Sequence, residues 1–307
     1  HFLIQQAKTT LSSTRPVLHY ITFCCTLKIN VKMRFSGKGV IITGSNSGIG
    51  KATALLMAKE GASVVIHGRD MKTLEQTVQE CREVGAQTAK FPIVQGDFNT
   101  DKTLIQRLYD TAMEAFGRID VLVNNAYTVE ACSFENVTEE QFDKQINVNL
   151  KAPLFLSQKC FPELKKNEGT IVNVSGVAGA RPFLLGFAML AVSKAALNQF
   201  TQCAGIEYGF EGVRVNAVCP GIVATDSALK VGMVNTKKEQ DEFYKCFTRC
   251  TPLKKTGTPE ETAKLIAYLA SDDASMMNGA NIIQDGGVSL MGLDTKTIEN
   301  AAKCASK

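Results

Sequence analysis

Apolar and polar positions fall into a repeating order from Met33 onward. Short runs of apolar, largely β-branched residues occur at Gly39–Thr43, Ser63–His67, Phe91–Gln95, Ile119–Asn124, Thr170–Ser175, Val213–Val218 and Ala280–Ile283. They are mostly continuous rather than alternating, as expected of strands covered on both faces. Between them lie helical stretches, among them Met71–Val84, Lys102–Phe116, Glu139–Lys165, Lys194–Gly209 and Pro259–Ala270. Strand–helix alternation of this kind predicts an α/β fold: one doubly wound, Rossmann-like domain on a parallel sheet. No internal repeat or low-complexity linker interrupts the order. The domain is expected over 33–292, between an extension at 1–32 and a tail at 293–307.

Composition narrows the function classes. The chain has 307 residues, 45% hydrophobic and 21% charged, as in an ordinary soluble globular protein. Its net charge of +4 comes without a Lys/Arg block, so no nucleic-acid partner is expected. No apolar run approaches the roughly 18 residues of a membrane span. Ten cysteines are scattered without a C-x-x-C pair, and neither Cys24–Cys25 nor Cys246/Cys250 defines a metal site. Reduced thiols and no metal are the expectation. Residues 1–32 carry Lys8, Arg15, Lys28 and Lys32, several Ser and Thr, and no acid. That composition suits a mitochondrial transit segment. A trimmed or dispensable extension is the preferred reading, because the chain opens on His1 and Met33 directly precedes R-F-S-G-K-G-V. The expected location is then cytoplasmic.

The chemistry begins at V-I-I-T-G-S-N-S-G-I-G, residues 40–50. A strand running through a Gly-rich turn into a helix is how α/β proteins hold a diphosphate. Gly44 allows the sharp turn, Gly48 lets backbone amides approach phosphate oxygens, and Gly50 lets helix and strand pack closely. The candidate cofactor-binding residues here are Thr43, Gly44, Asn46, Ser47, Gly48, Ile49 and Gly50, although a purely structural turn could look similar. At the end of the second strand, His67-Gly68-Arg69 lacks the acid that would bind ribose hydroxyls and repel a 2′-phosphate. Arg69 can pair with that phosphate, so NADP(H) is favoured over NAD(H). A solvated surface arginine is the plainer alternative. Asp70 next door is read as a cap of the following helix.

The spacing T-G-x-x-x-G-I-G resembles the nucleotide-binding signature of the short-chain dehydrogenase/reductase family. The resemblance extends through Asp97 in V-Q-G-D, Asn124-Asn125-Ala126, Asn149 in N-V-N-L, Pro220-Gly221-Ile222-Val223-Ala224-Thr225 and Asp285-Gly286-Gly287. It covers Met33 to about Gly292. It implies that Asp97 meets the adenine edge, that Asn125 and Ala126 line the adenosine side, and that Pro220, Gly221, Val223 and Thr225 hold the nicotinamide carboxamide. One departure is Tyr127, where the family usually has Gly after N-N-A.

Hydride exchange between an alcohol carbon and a nicotinamide needs a group that handles the hydroxyl proton and a donor for developing alkoxide charge. The family uses a Tyr four residues before a Lys, an upstream Ser and an Asn. Here the lysine is Lys194, and Leu190 stands four residues before it. In I-V-N-V-S-G-V-A-G the serine position is Gly176, and Ser175 would face the other way on its strand. No tyrosine lies between Tyr127 and Tyr208. The resemblance therefore leaves Asn149 and Lys194 as the catalytic candidates. It implies that the Asn also stabilises a helix bend and holds a water that reaches the Lys, while the Lys also grips the nicotinamide ribose. Ser193, Cys219 and above all Tyr127 are the substitutes to weigh. The reading is an NADP(H)-binding oxidoreductase scaffold with weak or lost standard activity; the alternative is a cofactor-binding pseudoenzyme serving as a regulatory or structural subunit. By resemblance, Ser227–Thr251 covers the substrate cleft, and its composition suits an apolar lid or, equally well, a core-facing amphipathic helix. A small apolar carbonyl or alcohol is the expected substrate class. The helices flanking Leu150–Leu164 and Ala195–Phe210 would suit a homodimer or homotetramer.

Overall fold

Val40, Ile41 and Ile42 are β-branched and wholly buried, and they build strand β1 (Gly39–Ile42). Val40 and Ile42 pack on one side of the sheet and Ile41 on the other, the two-residue period of a pleated strand. The pattern repeats in β2 (Ser63–Gly68), where Val64 and Ile66 join the first layer and Val65 the second. β3 (Ile93–Gln95), β4 (Val121–Asn124), β5 (Thr170–Val174), β6 (Arg214–Pro220) and β7 (Asn281–Gln284) complete a seven-stranded parallel sheet. Its order is β3-β2-β1-β4-β5-β6-β7. The continuous apolar runs of β1, β2, β4, β5 and β6 thus mark strands with two buried faces, the edge strands β3 and β7 being partly exposed, and the expected α/β fold is the observed one.

The computed structural model describes residues 33–181 and 185–291. The expected extension at 1–32 and tail at 293–307 lie outside the described residues.

One face of the sheet is covered by α1 (Gly48–Lys59), α2 (Met71–Val84) and α10 (Pro259–Ala270). Leu108, Leu164 and Ala204 place α3 (Leu104–Phe116), α5 (Ala152–Lys166) and α7 (Ala188–Gly209) on the other. Asp70 caps α2 by accepting from the Thr73 N–H at 2.8 Å, as expected. Thr258 and Glu261 form a capping box on α10, with Pro259 in its first turn. These signals make both helices start where the sequence placed them.

Two helical expectations need correction. Glu139–Lys165 is not one helix: α4 (Glu139–Ile146) passes into a π-helical turn at Asn147–Lys151 before α5 begins. The π turn brings Asn149 to Thr128, whose backbone it grips from both sides. The helix expected from Lys194 begins earlier, at Ala188. Its N-cap, Phe187, makes no side-chain cap bond, so no polar signal marks the start.

Two short helices, α6 (Val177–Ala180) after β5 and α8 (Ser227–Lys230) after β6, precede α9 (Lys237–Cys250) at the carboxyl ends of the strands. From β1 the chain winds outward through β2 and β3, then returns to pair β4 on the other side of β1. A crevice outside the carboxyl ends of β1 and β4 follows from that reversal.

Candidate functional site

The Gly-rich turn leaves β1 at Thr43 and enters α1 at Gly48. Gly44 and Gly48 have φ of +65° and +54°, the left-handed region that excludes most side chains. A β-carbon on Gly50 would lie 2.3 Å from the Gly44 carbonyl oxygen, so only glycine lets the helix start so close to the turn. Ser47 is the N-cap of α1, yet its hydroxyl makes no cap bond, and the first turn has no acidic residue. The opening amides of α1, Ile49 included, lie at the positive end of the helix dipole, which favours an anion. The donor set fits a dinucleotide diphosphate.

Several expected cofactor contacts turn out to build this turn. Thr43 is 3% exposed, and its hydroxyl accepts from the N–H groups of Asn125 (3.0 Å) and Ala126 (2.9 Å). The Asn125 amide donates to the carbonyls of Thr43 (2.8 Å) and Gly44 (3.1 Å). The ends of β1 and β4 are thereby locked together. Asn46 donates to Thr73 Oγ1 at 2.8 Å, and its side chain occupies the space beside Gly68. Arg69 is exposed at the end of β2 and stands 3.5 Å from Asp97, which also accepts from the Asn99 N–H.

At the opposite end of the crevice, Lys194 is 3% exposed and donates to the Val174 carbonyl at 2.8 Å. Burial pushes its ammonium down to about 8, with the neighbouring Cys219 opposing the shift. Leu190 precedes it by one helical turn on α7. Gly176 is extended (φ −179°), and a β-carbon there would meet only Lys194 Cγ, at 3.9 Å. Ser175 faces away, donating to the Lys194 carbonyl at 3.1 Å. Asn149 accepts from Thr128 N–H at 2.9 Å and donates to Thr128 O (2.9 Å) and Ser193 Oγ (3.1 Å). Ser193 in turn donates to Leu190 O, so its hydroxyl is committed away from the crevice. Cys219 is fully buried beside Asn198, and burial raises its thiol. Neither residue is placed to handle a substrate proton.

Tyr127 is placed differently. Its ring centroid lies 5.7 Å from the Lys194 ammonium, within cation–π range. The residue is 45% exposed, yet desolvation raises its phenol from the ordinary tyrosine value, and a hydrogen bond to Ser227 works against the rise.

The Pro220–Thr225 stretch is held by its neighbours. A β-carbon on Gly221 would come within 2.7 Å of Asp285, so glycine is needed there too. Val223 forms a bridge with Gly257, and Ala224 N–H donates to Gly257 O at 2.9 Å. The Thr225 carbonyl accepts from Tyr244 Oη at 2.8 Å and from Gln240.

The structure thus brings the candidate residues to one rim, the carboxyl end of the sheet. Sequence reasoning missed the residues that hold them: His67 behind Gly44, Thr128 across from Asn149, and Tyr244 under Thr225. A histidine in an otherwise apolar strand was the only visible signal. Among the described residues no group of three or more His, Cys, Asp or Glu is arranged to hold a metal, and no helix is long and apolar enough to cross a membrane.

Comparison with known proteins bears on the same region. A family model described as enoyl-(acyl carrier protein) reductase matches residues 43–289. An uncharacterized oxidoreductase of Thermotoga maritima is 39% identical over 259 residues, covering 83% of this chain and 98% of that protein. A 3-oxoacyl-[acyl-carrier-protein] reductase of the same organism is 36% identical, covering 83% and 99%. A Caenorhabditis elegans short-chain dehydrogenase/reductase of unknown function, solved with cofactor, superposes with a TM-score of 0.78 at 34% identity, covering 86% of this chain and 99% of that one. A short-chain dehydrogenase from Burkholderia cenocepacia in complex with NADP has a TM-score of 0.74 at 29% identity, covering 83% and 99%.

Proposed function

This chain belongs to the short-chain dehydrogenase/reductase family, and from that premise we propose that it binds NADP(H) on an oxidoreductase scaffold whose standard Ser–Tyr chemistry is weak or lost. The observation that carries the reading is the contrast between the two ends of one crevice. The diphosphate end keeps every glycine it needs, and Lys194 remains buried at the other end. The two positions that would handle the proton are Gly176 and Leu190.

A bound nicotinamide would supply or accept the hydride. Residues of the chain divide the remaining work. The amides of Gly48, Ile49 and Gly50 are offered to the diphosphate, with Ser47 beside them. Asp97 stands at the adenine edge, and Arg69 is offered to a 2′-phosphate. Lys194 reaches the nicotinamide ribose, and Pro220, Gly221, Val223 and Thr225 shape the carboxamide side. Asn149 acts through Thr128 and Ser193, as a positioning residue. Nothing at Leu190 can give up or take a proton, and nothing at Gly176 can donate to an alkoxide. A positioned acid–base group is worth roughly 10²–10⁴ in rate, and a lost oxyanion donor costs about 2.7–4 kcal/mol.

A small apolar carbonyl or alcohol is the substrate class that the apolar Leu190 end favours. Phe155, Ile206 and Phe210, exposed on α5 and at the end of α7, support a homodimer or homotetramer. The second reading, a cofactor-binding regulatory or structural subunit, is favoured by the same two substitutions. NADPH oxidation over a panel of carbonyls, with the natural protein beside its Gly176→Ser/Leu190→Tyr variant, separates the two. The open space at position 176 accepts a serine side chain without strain. A slow but measurable natural rate, at least 10² below that of the variant, is the expected outcome; turnover by the variant alone would favour the second reading. Comparable turnover by the natural protein would overturn that expectation and point to Tyr127, to be checked by Tyr127→Phe.

A further inference from the structure

Three hydrogen bonds tie residue 67 to the first two residues of the Gly-rich turn. Gly44 N–H donates to His67 Nδ1 at 3.0 Å, and Ser45 N–H donates to the His67 carbonyl at 2.8 Å. The His67 N–H donates to Ser45 Oγ at 2.9 Å, and that hydroxyl passes its own proton to Ile42 O at 2.9 Å. The Gly44 amide therefore points inward, at an imidazole, rather than toward the crevice. Nδ1 can accept only when it carries no proton, so the ring is the neutral Nε2–H tautomer.

The other side of the ring meets a second part of the site. His67 packs against Phe98 with ring centroids 5.1 Å apart, and Phe98 follows Asp97 on the loop after β3. The residue is 3% exposed, and Nε2 is buried without a well-formed hydrogen bond. A phenylalanine would fill this space at least as well, and a buried polar ring without full hydrogen bonding is costly. What only the imidazole supplies is the acceptor for Gly44.

We propose that His67, as its Nε2–H tautomer, is a positioning residue of the dinucleotide site: its Nδ1 fixes the Gly44 amide, and its ring sets the Asp97 loop against the diphosphate turn. The binding part of this inference rests on the NADP(H) reading; the part about the turn does not. Burial holds the imidazole neutral, lowering it to about 4. Arg107 on α3 and Arg69 after β2 lower it further, while the Gly96 backbone and Asp97 oppose them.

The test uses the full chain in two measurements. In ¹⁵N-detected NMR of the natural protein, the His67 ring should show an unprotonated Nδ1 at pH 7, and the Gly44 amide signal should move only as that ring titrates. Hydrogen exchange at the Gly44 amide should be slow in the natural protein and in His67→Asn, whose Oδ1 replaces Nδ1, and at least tenfold faster in His67→Phe and His67→Leu. A protonated Nδ1, or equal Gly44 protection in all folded variants, would overturn the proposal, and the ring signals decide it even where a variant fails to fold. In titrations with NADPH, His67→Phe should bind about tenfold more weakly and His67→Asn within threefold, since one hydrogen bond of about 1.4 kcal/mol corresponds to tenfold. Equal binding by the natural protein and His67→Phe would remove the positioning role. Failure of the natural protein to bind NADPH would instead count against the cofactor reading, with Gly44 exchange still deciding the role of His67.

Discussion

A β-carbon at position 68 would lie 2.5 Å from the Asn46 side chain, so the end of β2 is closed to the acid that would repel a 2′-phosphate. Arg69 is then the charge at hand, and it is exposed enough to leave Asp97 for a phosphate. Arg69→Gln should weaken NADPH binding about tenfold and leave NADH within twofold, measured by fluorescence titration, because charge-assisted hydrogen bonds of about 1.5–3 kcal/mol are at stake. His67 carries a separate prediction, about acid. Its imidazole is lowered from the ordinary 6.5 to about 4, so it is neutral in the fold at any pH where the unfolded chain would begin to protonate it. Its contribution is fully present above pH 6.5 and is lost as the pH falls toward 4. Between pH 6.5 and 4.5 that amounts to roughly 2–3 kcal/mol. Chemical denaturation at both values should show the natural protein losing about that much more than His67→Asn.

Among elements, the π-helical turn between α4 and α5 is the one built around a single side chain. Asn149 is fully buried and makes three hydrogen bonds, two of them to the Thr128 backbone. Asn149→Ala would leave the half-buried Thr128 N–H and carbonyl without their side-chain partner, costing about 1–3 kcal/mol, readable as a lower denaturation midpoint. The same element shows where sequence reading stops. Strands were legible because continuous β-branched runs have one physical meaning when both faces are buried. Two helices were legible to the residue because Asp70 and Thr258 announce their starts. The π turn was not legible from any local pattern, only from the family's helix-bending Asn, since its cause is a partner 21 positions away in the chain. The site divides in the same manner. Glycine spacing in the turn is a local necessity and can be read directly, whereas Gly176 and Leu190 stand out only against the Ser and Tyr of the family's pattern. The inward commitments of Thr43, Asn125 and Asn149 depend on which strands lie side by side, and no local pattern encodes them.

For the molecule as a whole, the crevice couples ligand binding to stability. NADPH at 100 times its dissociation constant should stabilise the folded chain by roughly 2.7 kcal/mol, seen as an upward shift of the denaturation midpoint. An unchanged midpoint at high NADPH would remove cofactor binding from the reading. The strand order has a further consequence, in time rather than energy. Asn125 grips Thr43 from 82 positions away, and β1 lies between β2 and the much later β4. The diphosphate turn therefore has no floor until some ninety residues of this domain have been made and brought together. Such distant pairings put parallel sheets among the slower folders. Until that closure, β1 offers a bare, strongly apolar edge. During synthesis, the strand that leads into the Gly-rich turn is therefore exposed to sticking to other nascent chains.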